Sequence, residues 1–220
     1  MILLLSVTVQ NLFILPMKNS DYTAYFNKVA DTLNKLDQDI LNNLVKVILD
    51  CRDRGNSIYI FGNGGSAATA SHVAGDFLKG ISYQLEKRFR MICLSDNIPG
   101  TSAISNDLTY DEVFIEPLKS YLNKNDVVIG ISGSGNSVNV IKAVEYAKTK
   151  GAITVAMVGY NGGKLKAVAD IVVHVPVDDM EVAEDIHLII FHAIKQNIIR
   201  RLKGDHYTMG FNYDQRIKDV

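Results

Sequence analysis

The sequence predicts an α/β protein, a three-layer αβα sandwich built on a mainly parallel five-stranded sheet. From residue 57 onward, apolar runs of strand length alternate with segments patterned like helices. The runs are continuously apolar rather than alternating, as expected for parallel strands covered on both faces. Two of them lead through a glycine-rich loop into a helix pattern, which indicates strand–loop–helix units.

A helical extension is predicted before the sheet. Between Asp21 and Arg54, apolar residues recur three and four positions apart, with a break near Leu36. The predicted strands are 57–61, 90–94, 126–131, 153–158 and 171–175. The predicted helices of the sandwich are 67–79, 101–106, 112–122, 138–150, 164–169 and 182–203.

Composition limits the class of protein and its partners. The 220 residues suffice for one domain with a full core. Lys and Arg number 23 against 24 Asp and Glu, so no basic surface predicts a nucleic-acid partner. Cys51 and Cys93 form neither a disulfide framework nor a CxxC metal motif, which favours a cytoplasmic location.

Both ends of the chain are expected to lie outside the domain. Residues 1–16 are apolar and uncharged, but they are too few to span a bilayer and lack the basic start of a signal peptide. We therefore expect residues 1–20 to be a disordered or mis-called extension, with no membrane partner. The domain is predicted to span residues 21–203, and a polar tail residues 204–220.

Two glycine-rich loops are the clearest candidates for a binding site. One is Gly-Asn-Gly-Gly-Ser at residues 62–66, and the other is Ser-Gly-Ser-Gly-Asn-Ser at residues 132–137. Backbone N–H groups and hydroxyls at a helix N-terminus bind anions, phosphate above all. Neither loop is a Walker A motif or a dinucleotide fingerprint, so no nucleotide cofactor is predicted. An ordinary turn is the alternative for each.

Histidines and carboxylates recur at helical spacing on two predicted helices. His72 and Asp76 are four residues apart and share a face. On the last helix, Glu184 and His192 share a face two turns apart, with His187 between them. If the two helices meet, an acid–base group or a zinc site would form from His72, Asp76, Glu184 and His192. The alternative is that these histidines are hydrogen-bonded core residues.

Together these motifs resemble the phosphoheptose isomerases of the sugar-isomerase (SIS) domain family. The matching segments are 61–68, 105–107, 130–143, 162–164 and 184–187, followed by His192. The resemblance covers about Asp21 to Leu202. It implies an SIS fold and an enzyme that converts sedoheptulose 7-phosphate to D-glycero-D-manno-heptose 7-phosphate for activated-heptose biosynthesis. It also implies a homotetramer with active sites between subunits.

The same resemblance implies roles for individual residues. Asp76 would be the general base and His192 the general acid of an aldose–ketose isomerisation through an enediol(ate). Some members hold zinc at the positions of His72, Asp76, Glu184 and His192. The phosphate cradle would be Ser132, Gly133, Ser134 and Ser137. The remaining substrate contacts would be Asn63, Gly64, Gly65, Ser66, Asp76, Asn106, Asp107 and Glu184.

Three positions depart from the usual residues of that family. Asp76 stands in place of Glu and retracts the carboxylate by about a bond length; a misplacement of about 1 Å can cost about 100-fold in rate. Glu184 stands in place of Gln, and a second carboxylate beside Asp76 favours a bound cation or a raised pKa. Gly133 stands in place of Thr and removes one hydroxyl.

Two other functions remain open from the sequence. Residues 106–113 and 159–163 resemble a non-catalytic SIS protein, a bacterial scaffold that binds the replication initiator DnaA. His192, which that scaffold replaces, is retained here. The third possibility is a sugar-phosphate sensor that binds its ligand without turnover.

Overall fold

A computed structural model describes residues 22–204 of the chain. The predictions for residues 1–20 and for the tail beyond residue 204 lie outside the described residues. The strands are β1 Ser57–Gly62, β2 Arg90–Cys93, β3 Val127–Ser132, β4 Ile153–Val158 and β5 Ile171–His174. The α-helices are α1 Thr23–Leu33, α2 Gln38–Arg54, α3 Gly64–Gly75, α4 Ile98–Asp107, α5 Ile115–Tyr121, α6 Val138–Thr149, α7 Leu165–Val168 and α8 Met180–Lys203.

The five strands form one sheet in the order β2-β1-β3-β4-β5, and every neighbouring pair is parallel. The predicted α/β sandwich is therefore confirmed. The continuous apolar runs have the expected cause, since all six residues of β1 and all six of β3 are buried. Within residues 22–204, no helix has the length and apolar content needed to cross a membrane.

The core consists of two apolar layers, one on each face of the sheet. Alternate residues of β1 divide between them: Ile58 and Ile60 pack with α2, α3 and α8, whereas Tyr59 and Phe61 pack with α5 and α6. The ring of Phe61 stacks on Phe114 at a centroid distance of 4.7 Å. Because residues of α3 and α8 belong to the same apolar layer, the two helices lie on the same face of the sheet.

The helix after the first glycine loop differs from its prediction at both ends. It begins at Gly64 rather than residue 67, because the backbone turns directly after β1 with Gly64 at φ +54°. Its α-helical part ends at Gly75 and continues as a π-helix over Asp76–Ile81. Single π-turns are frequent at functional sites, and this one begins at Asp76.

Both glycine loops lie where the order of the strands reverses. The chain goes from β1 outward to β2 on one side, and then to β3 on the other side of β1. Gly62 and Ile131, at the carboxyl ends of β1 and β3, are paired neighbours. Ligands of open α/β sheets bind at this switch point. The fold therefore supports the expectation that the two loops share one site.

His187 is a core residue and not a ligand in the described structure. Its side chain is completely buried, and neither ring nitrogen has a hydrogen-bond partner at bonding distance among residues 22–204. Burial lowers the pKa of His187 from 6.5 to about 4, and the Val158 backbone opposes this shift only in part. His187 is therefore a core residue, as the alternative interpretation of the sequence predicts, but the expected hydrogen bond is missing among residues 22–204.

The buried His187 ring predicts a specific loss of stability in mild acid. In the unfolded chain His187 binds a proton near pH 6.5, whereas the folded ring binds one only near pH 4. The contribution of neutral His187 to the free energy of unfolding is therefore complete above pH 6.5 and is lost as the pH falls toward 4. Between pH 7 and pH 5 the free energy of unfolding should fall by about 2 kcal/mol from this group. Urea unfolding of the wild type and His187→Leu at both pH values measures the difference. An equal pH dependence in the two proteins would contradict the assignment.

Candidate active site

A carboxylate and two imidazoles meet between α3 and α8. His72 Nε2 and His192 Nε2 are 2.9 Å apart. Asp76 Oδ2 lies 3.5 Å from His72 Nε2 and 3.6 Å from His192 Nε2. The side chains of His72 and His192 are 51% and 43% exposed, against 18% for Asp76. We call these three residues the His/Asp cluster, which offers a proton acceptor and two proton carriers to a ligand from solvent.

Two contacts show that α3 and α8 run side by side in the same direction. At their N-terminal ends, Gly65 lies directly beneath the Glu184 carboxylate. Seven residues further along α3, His72 reaches His192, which is eight residues further along α8. Eight helical residues rise about 12 Å, so the two contacts are about two turns apart.

The second glycine loop lines a small polar pocket next to the first of these contacts. Its volume is about 160 Å³. The Oγ atoms of Ser132 and Ser137 are 3.0 Å apart, and Ser134 Oγ accepts a hydrogen bond from the Asn136 backbone N–H. We call it the serine pocket; its lining residues are Asn63, Ser66, Ile131, Ser132, Gly133, Ser134, Ser137, Met180 and Glu184.

The loop of residues 159–164, between β4 and α7, packs against the loop that lines the serine pocket. Gly135 has φ +67°, and a Cβ there would lie 2.0 Å from the Gly162 carbonyl oxygen. The Leu165 backbone N–H donates to the Gly135 carbonyl, and the Lys164 N–H donates to the Asn136 side chain. Glycine is therefore required at 135, because the two loops are in backbone contact.

The predicted sugar-contacting residues fall into two groups. Asn63 faces the serine pocket, but its side chain forms a reciprocal amide pair with Asn139 and accepts a hydrogen bond from the Tyr110 hydroxyl. Asn106 and Asp107 are exposed on α4, where the Asn106 amide donates to the Asp107 carboxylate. Their predicted role at the pocket border remains a prediction. The contact of Tyr110 with Asn63 was not predicted from the sequence.

Comparison with known proteins shows the family to which this chain belongs. The SIS domain model matches residues 21–159. The phosphoheptose isomerase of Helicobacter pylori strain P12 is 38% identical over 175 residues, which cover 79% of this chain and 90% of that protein. The phosphoheptose isomerase of Aliarcobacter butzleri is 36% identical over 183 residues, which cover 83% and 95%. The chain belongs to the phosphoheptose isomerases of the SIS-domain family.

Solved structures of the family have the same fold. Phosphoheptose isomerase GmhA from Neisseria gonorrhoeae superimposes with a TM-score of 0.74 at 28% identity, covering 80% of this chain and 95% of that one. The enzyme from Francisella tularensis superimposes with a TM-score of 0.75 at 25% identity, covering 81% and 96%. Since these relatives are sugar-phosphate isomerases, the chain is assigned to a family of enzymes.

The structure corrects one inference about Glu184. Its carboxylate does not join the His/Asp cluster of its own chain and lies instead over Gly65 beside the serine pocket. Burial, followed by the charges of Glu181 and Asp185, raises the pKa of Glu184. Asp76 is not among these causes, and it contacts His192, which lies about two turns of α8 beyond Glu184. The expected pair of carboxylates in one pocket is therefore absent within the chain described here.

The space left by Gly133 is filled by another side chain. A Cβ at position 133 would lie 2.4 Å from Met180 Sδ. A threonine at this position would therefore need Met180 to move. The Met180 thioether lines the serine pocket beside Gly133.

Lys195 was not predicted from the sequence as a site residue, yet it directly contacts the His/Asp cluster. Its Nζ lies 2.5 Å from Asp76 Oδ1, and its side chain is only 10% exposed. The available signal was its position three residues after His192 on an otherwise apolar helix face. Lysine is rarely buried without a partner, which makes such a position informative.

The donor set of the His/Asp cluster fits a metal ion with three protein ligands. Its ligand atoms all lie within 4.8 Å of one another, and no further His, Cys, Asp or Glu joins them in the described part of the chain. Two imidazoles and one carboxylate are the ligand set of many catalytic zinc sites. The predicted four-residue site is thus reduced to His72, Asp76 and His192 within one chain.

Proposed function

We propose that this protein isomerises sedoheptulose 7-phosphate to D-glycero-D-manno-heptose 7-phosphate through an enediol(ate), for activated-heptose biosynthesis. The observation that carries the proposal is the contact of Asp76 Oδ2 with both His72 and His192, about two helical turns from a serine-lined pocket. An aldose–ketose isomerisation needs a base for a C–H proton and a carrier for a hydroxyl proton. The His/Asp cluster supplies both types of group.

The proposed roles follow from the positions of the side chains. Asp76 removes the proton from one of the two reacting carbons and returns it to the other. His192 moves the hydroxyl proton, and His72 holds the ring of His192 by its Nε2 contact. The serine pocket binds the phosphate, whose remote binding energy positions the reacting carbons.

The distance between the two parts of the site suits a long substrate. Glu184 and His192 mark the serine pocket and the cluster, and they are about 12 Å apart along α8. From C1 to phosphorus, an extended heptose 7-phosphate spans eight bonds, or about 10 Å at about 3.8 Å per three bonds. A three-carbon phosphosugar is too short to reach both.

We also propose zinc as the metal of this site, held by His72, Asp76 and His192. When bound, it would supply electrostatic stabilisation of the oxygens that become negatively charged in the enediolate. The three ligand atoms leave room for substrate oxygens, because catalytic zinc sites keep an open position. Imidazole and carboxylate donors support zinc over calcium or magnesium, which prefer oxygen ligands alone.

We further propose a homotetramer with active sites between subunits, located in the cytoplasm. The two cluster histidines are about half exposed, and several large apolar side chains of α1, α8 and the π-helix are also exposed. Ile189 shares the α8 face of His192, Leu78 follows Asp76, and Phe26 is on α1. The cytoplasm is supported by Cys51 and Cys93, which are buried free thiols.

Isomerase activity is tested by NMR with sedoheptulose 7-phosphate. The wild type is expected to produce an aldose phosphate until equilibrium. Asp76→Asn removes the base without changing the shape, and His192→Ala removes the proton carrier; each should lower kcat by at least about 100-fold. Lys46→Met, an exposed change on α2, is the matched control and should keep full activity.

Other outcomes would favour the other two functions. Full activity of both variants would refute the assigned roles. Capture of DnaA by a protein without turnover would favour the scaffold. Thermal stabilisation by the sugar phosphate without turnover would favour the sensor.

Zinc binding is tested by calorimetry on protein treated with a chelator and dialysed. The wild type is expected to bind about one Zn²⁺ per chain, and His72→Ala should weaken binding by at least about tenfold because one of three ligands is lost. Glu184→Gln is the matched control and should bind as the wild type does, since Glu184 is outside the cluster. Equal affinity of the wild type and His72→Ala would rule out this site.

The oligomeric state is tested by size-exclusion chromatography with light scattering. The expected mass is four times that of the 24.3 kDa chain. Ile189→Glu should shift the protein toward smaller species, because it places a charge on the proposed interface. Gln196→Glu, an exposed position later on the same helix, is the control. A monomeric wild type would overturn the proposal.

A further inference from the structure

Lys195 is a buried cation with a single anionic neighbour among the described residues. It lies on α8 between core residues, with Ile194 before it and Ile198 one turn later. Its Nζ is 2.5 Å from Asp76 Oδ1, a charge-assisted contact of short length. A buried ammonium group is costly unless it is paired, so this geometry depends on Asp76.

The two oxygens of the Asp76 carboxylate have separate partners. Oδ1 is held by Lys195, whereas Oδ2 lies between His72 and His192 at 3.5 and 3.6 Å. Because a carboxylate is planar, the contact at Oδ1 determines which way Oδ2 points. Rotation of the carboxyl group would break the Lys195 contact.

We propose that Lys195 is a positioning residue, which holds the Asp76 carboxylate so that Oδ2 faces the two imidazoles and the reacting carbons. The inference rests on the proposed isomerase function for its kinetic consequence, but its structural part does not. Lys195 itself does not touch the substrate in this proposal. It acts through Asp76.

The need for a positioning residue follows from the short side chain of Asp76, the proposed base. A glutamate would carry its carboxylate one methylene further from the backbone than Asp76 does. Asp76 has a shorter reach, and the π-helix of Asp76–Ile81 begins at this residue. A carboxylate that has lost its orientation by about 1 Å can lose about 100-fold in rate. A fixed cation on Oδ1 prevents that loss.

The alternative is that Lys195 and Asp76 form only a stabilising ion pair. Both interpretations predict lower stability when Lys195 is replaced. Only the positioning role predicts a change in kcat at constant KM, because an interaction made only in the transition state changes kcat alone. It also predicts rescue by arginine, which restores a cation on Oδ1.

The test compares the wild type, Lys195→Met, Lys195→Arg and the exposed control Lys46→Met. Lys195→Met should lower kcat about 10- to 100-fold with KM within about twofold. Lys195→Arg should recover more than half of that loss on a logarithmic scale. Lys46→Met should match the wild type. An unchanged kcat in Lys195→Met overturns the proposal, and so do equal losses in the methionine and arginine variants.

A second measurement requires no substrate and separates this proposal from the proposed function. In ¹⁵N-histidine NMR spectra of the metal-free proteins, Lys195→Met should shift the ring signals of His72 and His192, whereas Lys46→Met should not. If neither the wild type nor any variant turns over the heptose phosphate, the proposed isomerase function is refuted. The NMR spectra alone then decide whether Lys195 positions Asp76. Unshifted ring signals overturn it. If Lys195→Met does not fold, Lys195→Gln replaces it in both measurements with the same criteria.

Discussion

The parallel pairing of β1 with β3 is the constraint on which the site depends. It brings Gly62 beside Ile131, so that both glycine loops leave the sheet at one edge. The approach is so close that a Cβ on Gly62 would lie 2.6 Å from Ser66 Cβ and 2.8 Å from the Ile131 carbonyl oxygen. A larger residue at 62 would push α3 away from the sheet. Every side chain that α3 contributes to the site would move with it.

The parallel packing of α3 on α8 then determines what those side chains meet. The two helices lie on the same face of the sheet and share its core layer. Their N-terminal ends place Glu184 over Gly65, and their middle parts place His192 against His72. One helix pair thus provides both a binding end and a reacting end. This packing holds two chemically different groups at a fixed separation.

Each departure from the family's usual residues has a partner in the structure. The shorter Asp76 contacts Lys195. Gly133 is covered by Met180. Glu184, with its added charge, lies over the first turn of α3, where the helix dipole favours an anion. A substitution at one of these positions alone would therefore also change the contacts of the neighbouring side chain.

The sequence alone determined the layers of the fold, the two loops and the pair His72 and Asp76, because these depend on periods of two and 3.6 residues and on local spacing. It also provided His192 and Glu184 on one helix, but not the distance of either from α3. That distance depends on how α3 and α8 pack, which is decided by core contacts between segments more than a hundred residues apart. For the same reason only the tertiary structure separated Glu184 from the cluster and brought Lys195 to Asp76. An ion pair between distant segments leaves no periodic signal in a single sequence.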